Sequence, residues 1–87
     1  MQTISGDAIG PSRVALALNR SKLDELRRAH GIRTEADLAR KIGVPKTTLW
    51  RVSNGRVSPS SEFIAKVIIA FPSAPMDSLF YVKREAA

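Results

Sequence analysis

Lys46, Thr47, Trp50 and Arg51 stand at i, i+1, i+4 and i+5, the spacing that puts side chains on one side of a helix, and Arg56 follows in the next turn of chain. Each type brings a different donor. Lysine offers a compact ammonium, arginine a planar fork that gives two hydrogen bonds to one partner, threonine a hydroxyl beside a methyl, and tryptophan a broad ring with one N–H. Between Leu38 and Ser61 the basic residues Arg40, Lys41, Lys46, Arg51 and Arg56 occur with no Asp or Glu among them, whereas Asp24, Glu25, Glu35 and Asp37 crowd the stretch just before. Basic side chains often do no more than solvate helix faces. The local absence of carboxylates marks this group instead as a surface for an anionic partner.

The chain as a whole leans the same way. Its 87 residues carry 14 Lys and Arg against 8 Asp and Glu, a formal charge of +6, which favours a polyanion, either nucleic acid or an anionic membrane surface. Charge alone does not choose between them. A membrane surface asks for a basic amphipathic helix with bulky apolar residues opposite, and the basic segment from Lys46 is short for that. There is no Cys and His30 is the one His, so zinc fingers, iron–sulfur clusters and thiol chemistry drop out, and neither a metal nor a cofactor is expected. No paired carboxylates, Ser–His–Asp set or Gly-rich phosphate loop is visible, so no enzyme and no small-molecule ligand is expected. The apolar run Val67 to Phe71 is too short to span a membrane. With the first basic residue at Arg13 and no long apolar run behind it, no secretory signal is expected, and the expected location is the cytoplasm.

At this length one small domain is expected, its thin core built from short helices. The small, polar residues at the start suggest a loose arm over 1–12, a domain over 13–82 and a charged end over 83–87. Arg13 to Leu18 alternates larger and smaller apolar groups; alanine suits a helix as well, but the alternation favours a strand. Ser21 with Asp24 makes a capping pair for a first helix whose Leu23, Leu26 and Ala29 recur at helical spacing up to Gly31, with His30 in the last turn. Thr34 repeats the device toward Asp37, and Leu38, Ala39 and Ile42 form the apolar stripe of a second helix ending at Gly43. Val44 is pushed out of helical geometry by Pro45, which suits the first position of a third helix with Leu49 and Val52 inward, stopped at Asn54-Gly55. Ser58-Pro59 caps and starts a fourth, with Phe63, Val67, Ala70 and Phe71 on one face and Ile64 and Ile68 beside it. Pro72 stops it, residues Pro75 to Phe80 give a last short helical turn, and Phe80-Tyr81-Val82 reads as a terminal strand. The expected fold is therefore mainly α, five helices with short N- and C-terminal strands.

Two short helices joined by a turn centred on Gly43, the second with a polar and basic outer face, make a helix-turn-helix. The run from Thr34 to Gly55 resembles that of the lambda-repressor/Cro family, also called the XRE family. It does so through Leu38-Ala39, Ile42-Gly43-Val44 and Asn54-Gly55 at these spacings, and the similarity extends over roughly residues 20–80. The resemblance implies a lambda-repressor-like fold and sequence-specific binding of double-stranded DNA by a transcriptional regulator of phages and bacteria. Such a regulator is a repressor of the Cro or immunity kind, usually a homodimer on a palindromic operator, with helix 46–53 in the major groove. The alternative is a protein-interaction module, such as an antitoxin that binds its own operator while another surface neutralises a partner protein.

Carried over by position, the resemblance implies that Lys46, Thr47 and Arg51 touch base edges, Arg51 by a two-pronged contact with guanine and Thr47 against a thymine methyl. Trp50 matches a position that reaches bases or the sugar–phosphate edge; the lesser alternative is a large indole that covers the edge of the core. Arg40, Lys41, Thr48, Asn54, Arg56 and Ser58, with the backbone amides from Asn54 to Ser58, are implied as phosphate contacts. The chain departs from the family in two places. Glu35 stands where many members carry a phosphate-binding Gln, and Pro45 replaces the usual Ser or Thr cap of the recognition helix. Small residues where the two helices touch account for Ala39 and Gly43.

Overall fold

The apolar alternation after Arg13 does become a strand, and its partner is the far end of the chain. In the computed structural model, which describes residues 12–86, β1 (Ser12–Leu18) pairs antiparallel with β2 (Phe80–Ala86). Between them run α1 (Arg20–Ala29), α2 (Glu35–Ile42), α3 (Lys46–Ser53), α4 (Ser61–Ala70) and α5 (Met76–Leu79). The fold is mainly α with a two-stranded sheet. Most of the arm expected over 1–12 lies outside the described residues. β2 continues past the expected Phe80–Val82, because Lys83 and Arg84 find partners opposite Ala15 and Val14 and the ladder runs on to Ala86. The charged end is thus strand as far as Ala86.

Opposed residues in an antiparallel pair share one face. Leu18 and Phe80, directly opposite, are buried at the base of the ribbon, and Phe80 meets Phe63 edge-on at 6.4 Å between ring centres. The same face continues outward through Leu16 and Val82 to Val14, with Val82 61% and Val14 64% exposed. The rest of the core is supplied once per helical turn: Leu23 from α1, Leu38, Ala39 and Ile42 from α2, Leu49 and Val52 from α3, Phe63, Val67 and Ala70 from α4, then Phe71 and Leu79.

The starts of α1 and α4 differ from expectation. Asn19, not Ser21, caps α1: its amide donates to the Leu79 carbonyl at 2.8 Å, which holds Asn19 extended at the end of β1, and its side chain accepts the Lys22 N–H at 3.1 Å. Ser60, not Ser58, caps α4, accepting from the Phe63 N–H at 3.0 Å, so Ser58-Pro59 belongs to the extended approach. The Thr34 cap on the Asp37 N–H forms as expected, at 3.0 Å. Gly31 also ends α1 as expected, in the left-handed region at φ 69°.

Candidate nucleic-acid interface

Everything between Ile42 and Lys46 is turn, and its shape is set by one backbone angle. Gly43 sits at φ 94°, where an L side chain is strained, and its N–H closes on the Ala39 carbonyl at 2.8 Å. Closeness of the helices is not the reason for glycine. A Cβ added there would meet only the Lys66 side chain, at an ordinary 4.0 Å, so the expectation of tight packing holds for buried Ala39 and not for Gly43. Lys66 steadies the turn by donating to the Gly43 carbonyl at 3.1 Å. Pro45 is the N-cap rather than the first helical residue, with no side-chain hydrogen bond to the turn that follows.

From this turn α3 presents two faces. Leu49 and Val52 are buried, while Lys46, Thr47, Trp50 and Arg51 are exposed together on the outer side. Trp50 is 49% exposed, which puts its ring on the surface rather than over the core. The side chains of Lys41, Lys46 and Arg51 have no hydrogen-bond or ion-pair partner among the described residues, so their charges are available to an incoming group. Thr48 is half-buried in the cleft between α3 and the start of α4, beside Ser60 and Phe63, off to one side of the base-facing group.

Several implied phosphate contacts are already engaged. Arg40 hydrogen-bonds the Asp37 carboxylate, and the same contact holds that carboxyl below its ordinary range, with help from Thr34. Asn54 donates its side-chain amide to the Trp50 carbonyl at 2.8 Å. Three of the amides expected to face phosphates, those of Asn54, Gly55 and Arg56, are also consumed. The Asn54 N–H goes to Trp50, Gly55 to Val52 at 3.2 Å and Arg56 to Arg51 at 2.9 Å, with Gly55 at φ 70°. This is the pair of closing bonds that ends a helix on a left-handed residue, so the loop offers side chains, not these N–H groups. Arg56 and Ser58 remain exposed, and the Arg56 guanidinium lies 5.2 Å from the centre of the Trp50 ring.

Glu35 does not face the basic surface at all. Its two oxygens accept from Arg20, Nη1 at 2.8 Å and Nη2 at 2.6 Å, and Arg20 also reaches Asp24 through Nε at 3.0 Å and the Ser53 hydroxyl at 2.8 Å. One guanidinium therefore ties the first turn of α2 and the last residue of α3 to α1. The arrangement also offsets a local penalty, since a cation in the first turn of α1 faces the positive end of that helix. The Arg20 hydrogen bond is the largest influence on Glu35, holding its carboxyl below the ordinary value against the opposing effect of burial. Burial acts most strongly on Asp24, pushing it up, but the contacts with Arg20 and Arg27 outweigh it and the net direction is down. The Arg20–Asp24 spacing is the ordinary helical one and is legible in sequence; the reach to Glu35 and Ser53 joins residues far apart in the chain and is not.

Among the described residues no cluster of His, Cys, Asp or Glu could hold a metal, and no helix is long and apolar enough to cross a membrane. α3 is held by its neighbours so that one basic, acid-free side faces out. No known family matches the chain, and neither a curated protein nor a solved structure does.

Proposed function

We propose that this protein is a transcriptional regulator that binds double-stranded DNA, a repressor of lambda-repressor/Cro type, with α3 in the major groove and α2 across the backbone. The observation that carries the reading is the outer side of α3: Lys46, Thr47, Trp50 and Arg51 exposed side by side, no carboxylate among them, on a helix set by the Gly43 turn. A major groove admits such a helix and shows each base pair as a distinct pattern of donors and acceptors. Lys46, Thr47 and Arg51 are assigned to base edges, and Lys41, Arg56 and Ser58 to phosphates. Arg40 joins them by exchanging Asp37 for a phosphate. Glu35 supports the reading from the other side, because its charge is held by Arg20 and does not repel the DNA. No catalytic role, metal or cofactor is assigned, and the place of action is the cytoplasm, where the DNA is.

A second copy of the chain is assigned to the exposed outer part of the ribbon, where Val14, Val82 and Tyr81 leave apolar surface in solvent. Selection of bound fragments from random duplex DNA tests both parts. An enriched motif with two-fold symmetry is expected, and binding no tighter than to heparin at moderate ionic strength would end the regulatory reading.

A further inference from the structure

Arg56 occupies the second position past the C-cap of α3, and its N–H makes the outer of the two bonds that close the helix end. That position commonly packs a side chain back on the last turn of the helix, usually through an apolar contact. Here the contact is a guanidinium laid over an indole, 5.2 Å from the ring centre to the guanidinium carbon. Both groups are exposed, so the pair stands on the surface beside Arg51 rather than in the core. A free arginine side chain samples many rotamers and loses that freedom when it clamps an anion; a planar platform removes part of the loss in advance. The carbonyl end of α3 also carries partial negative charge, so a phosphate can approach this side only past a cation. Arg56 is fixed there by the backbone bond from below and by the ring from the side.

We propose that Trp50 is a positioning residue for Arg56: its ring holds the guanidinium ready for a backbone phosphate and does not itself read a base. This assignment rests on the duplex-DNA reading above and deepens it. It separates two jobs on one helix face, with Arg51 carrying sequence information and the Trp50–Arg56 pair carrying affinity that is the same for all sequences.

The test is a double-mutant cycle of Trp50→Leu and Arg56→Gln, read by titration of a labelled duplex taken from the random-DNA selection and of an unrelated duplex, each over a series of salt concentrations. Arg56→Gln is expected to weaken both duplexes alike, about tenfold, and to reduce the slope of log K against log salt by about one. Trp50→Leu is expected to weaken both about threefold to tenfold, within the range of an exposed cation–π contact and lost preorganisation, without changing base preference. In the Arg56→Gln background it is expected to do almost nothing further. Trp50→Phe, which keeps a ring, recovers most of the binding. In the free protein the Arg56 side-chain protons should resonate upfield of ordinary arginine values and move back in Trp50→Leu, while far-ultraviolet circular dichroism confirms that the variant is folded. Additive losses in the cycle, or a base preference altered by Trp50→Leu, would overturn the positioning role and leave the duplex reading intact. Failure of the unaltered protein to prefer any duplex over heparin would overturn both.

Discussion

Arg20 grips Glu35 with both arms of its guanidinium, at 2.8 and 2.6 Å, across the joint between α1 and α2. Because a third hydrogen bond runs from the same group to Ser53 at 2.8 Å, this one contact also bears on where α3 ends. Replacing Glu35 by Ala leaves Arg20 with a partly buried charge and only Asp24 to balance it. A loss of about 1–2 kcal/mol in unfolding free energy is expected from chemical denaturation. If α3 is set by the network, Ser53→Ala should reduce DNA affinity by more than its small effect on stability accounts for, and equal effects on the two would remove Ser53 from that role.

Acid should expose the same network. Glu35 and Asp24 titrate below their ordinary values in the folded protein, so on acidification the unfolded chain takes up these protons first. The stability they contribute is complete above the ordinary values of 4.5 and 3.8 and is lost as pH falls through the depressed folded values. Urea midpoints are therefore expected to be flat from neutrality down to about pH 5 and to fall below it. In Glu35→Gln the fall should be shallower, and an unchanged pH profile in that variant would detach it from Glu35.

Gly43 makes a prediction whose sign depends on a distinction between space and backbone angle. A methyl group fits, with Lys66 at 4.0 Å, but φ 94° is strained for any residue other than glycine. Gly43→Ala is expected to destabilise by about 1–2 kcal/mol, lowering Tm by roughly 4–8 °C for each kcal/mol in a domain of this size. An unchanged Tm would mean that the turn relaxes to another conformation.

Arg51→Ala tests the reading of bases. It should cost about 1–3 kcal/mol at one position of the selected motif and relax the preference there. The enriched motif is the measurement, and its persistence unaltered in the variant would take Arg51 out of base recognition.

The ribbon can be tested without touching the core. Val82→Asp places a charge on the exposed outer part of the ribbon, opposite Leu16. If a second copy covers this part, the mass measured by light scattering should fall from dimer to monomer with little change in far-ultraviolet circular dichroism. A mass that is monomeric before the substitution would rule out the assigned second copy.

The order of helices, the strand at Val14 to Leu18 and the outer face of α3 could all be read from sequence, since each is written in a local period or in the stop signals at Gly43 and Asn54-Gly55. Helix starts were less legible. Ser21 and Ser58 are good caps by type, yet the hydrogen bond from Asn19 to Leu79, a partner at the other end of the chain, decides which residue stays extended and caps α1. Three of the loop amides differ from expectation for the opposite reason: the left-handed turn at Gly55, itself plain in the sequence, uses the N–H groups of Asn54, Gly55 and Arg56 to finish α3. The role of Arg20 is not legible in sequence, because its partners Glu35 and Ser53 lie distant in the chain and no periodicity joins them. The same contact explains how the acidic departure at Glu35 coexists with a basic outer face.

The antiparallel ladder from Ser12 opposite Ala86 to Leu18 opposite Phe80 has a mechanical meaning. A force drawn between those outer ends would open the ribbon like a zipper, one rung after another, instead of shearing all its bonds at once. Such peeling yields at low load, and the helices feel no tension until Leu18 and Phe80 part. The ribbon then acts as a fuse, leaving the helical layer whole while the two ends separate.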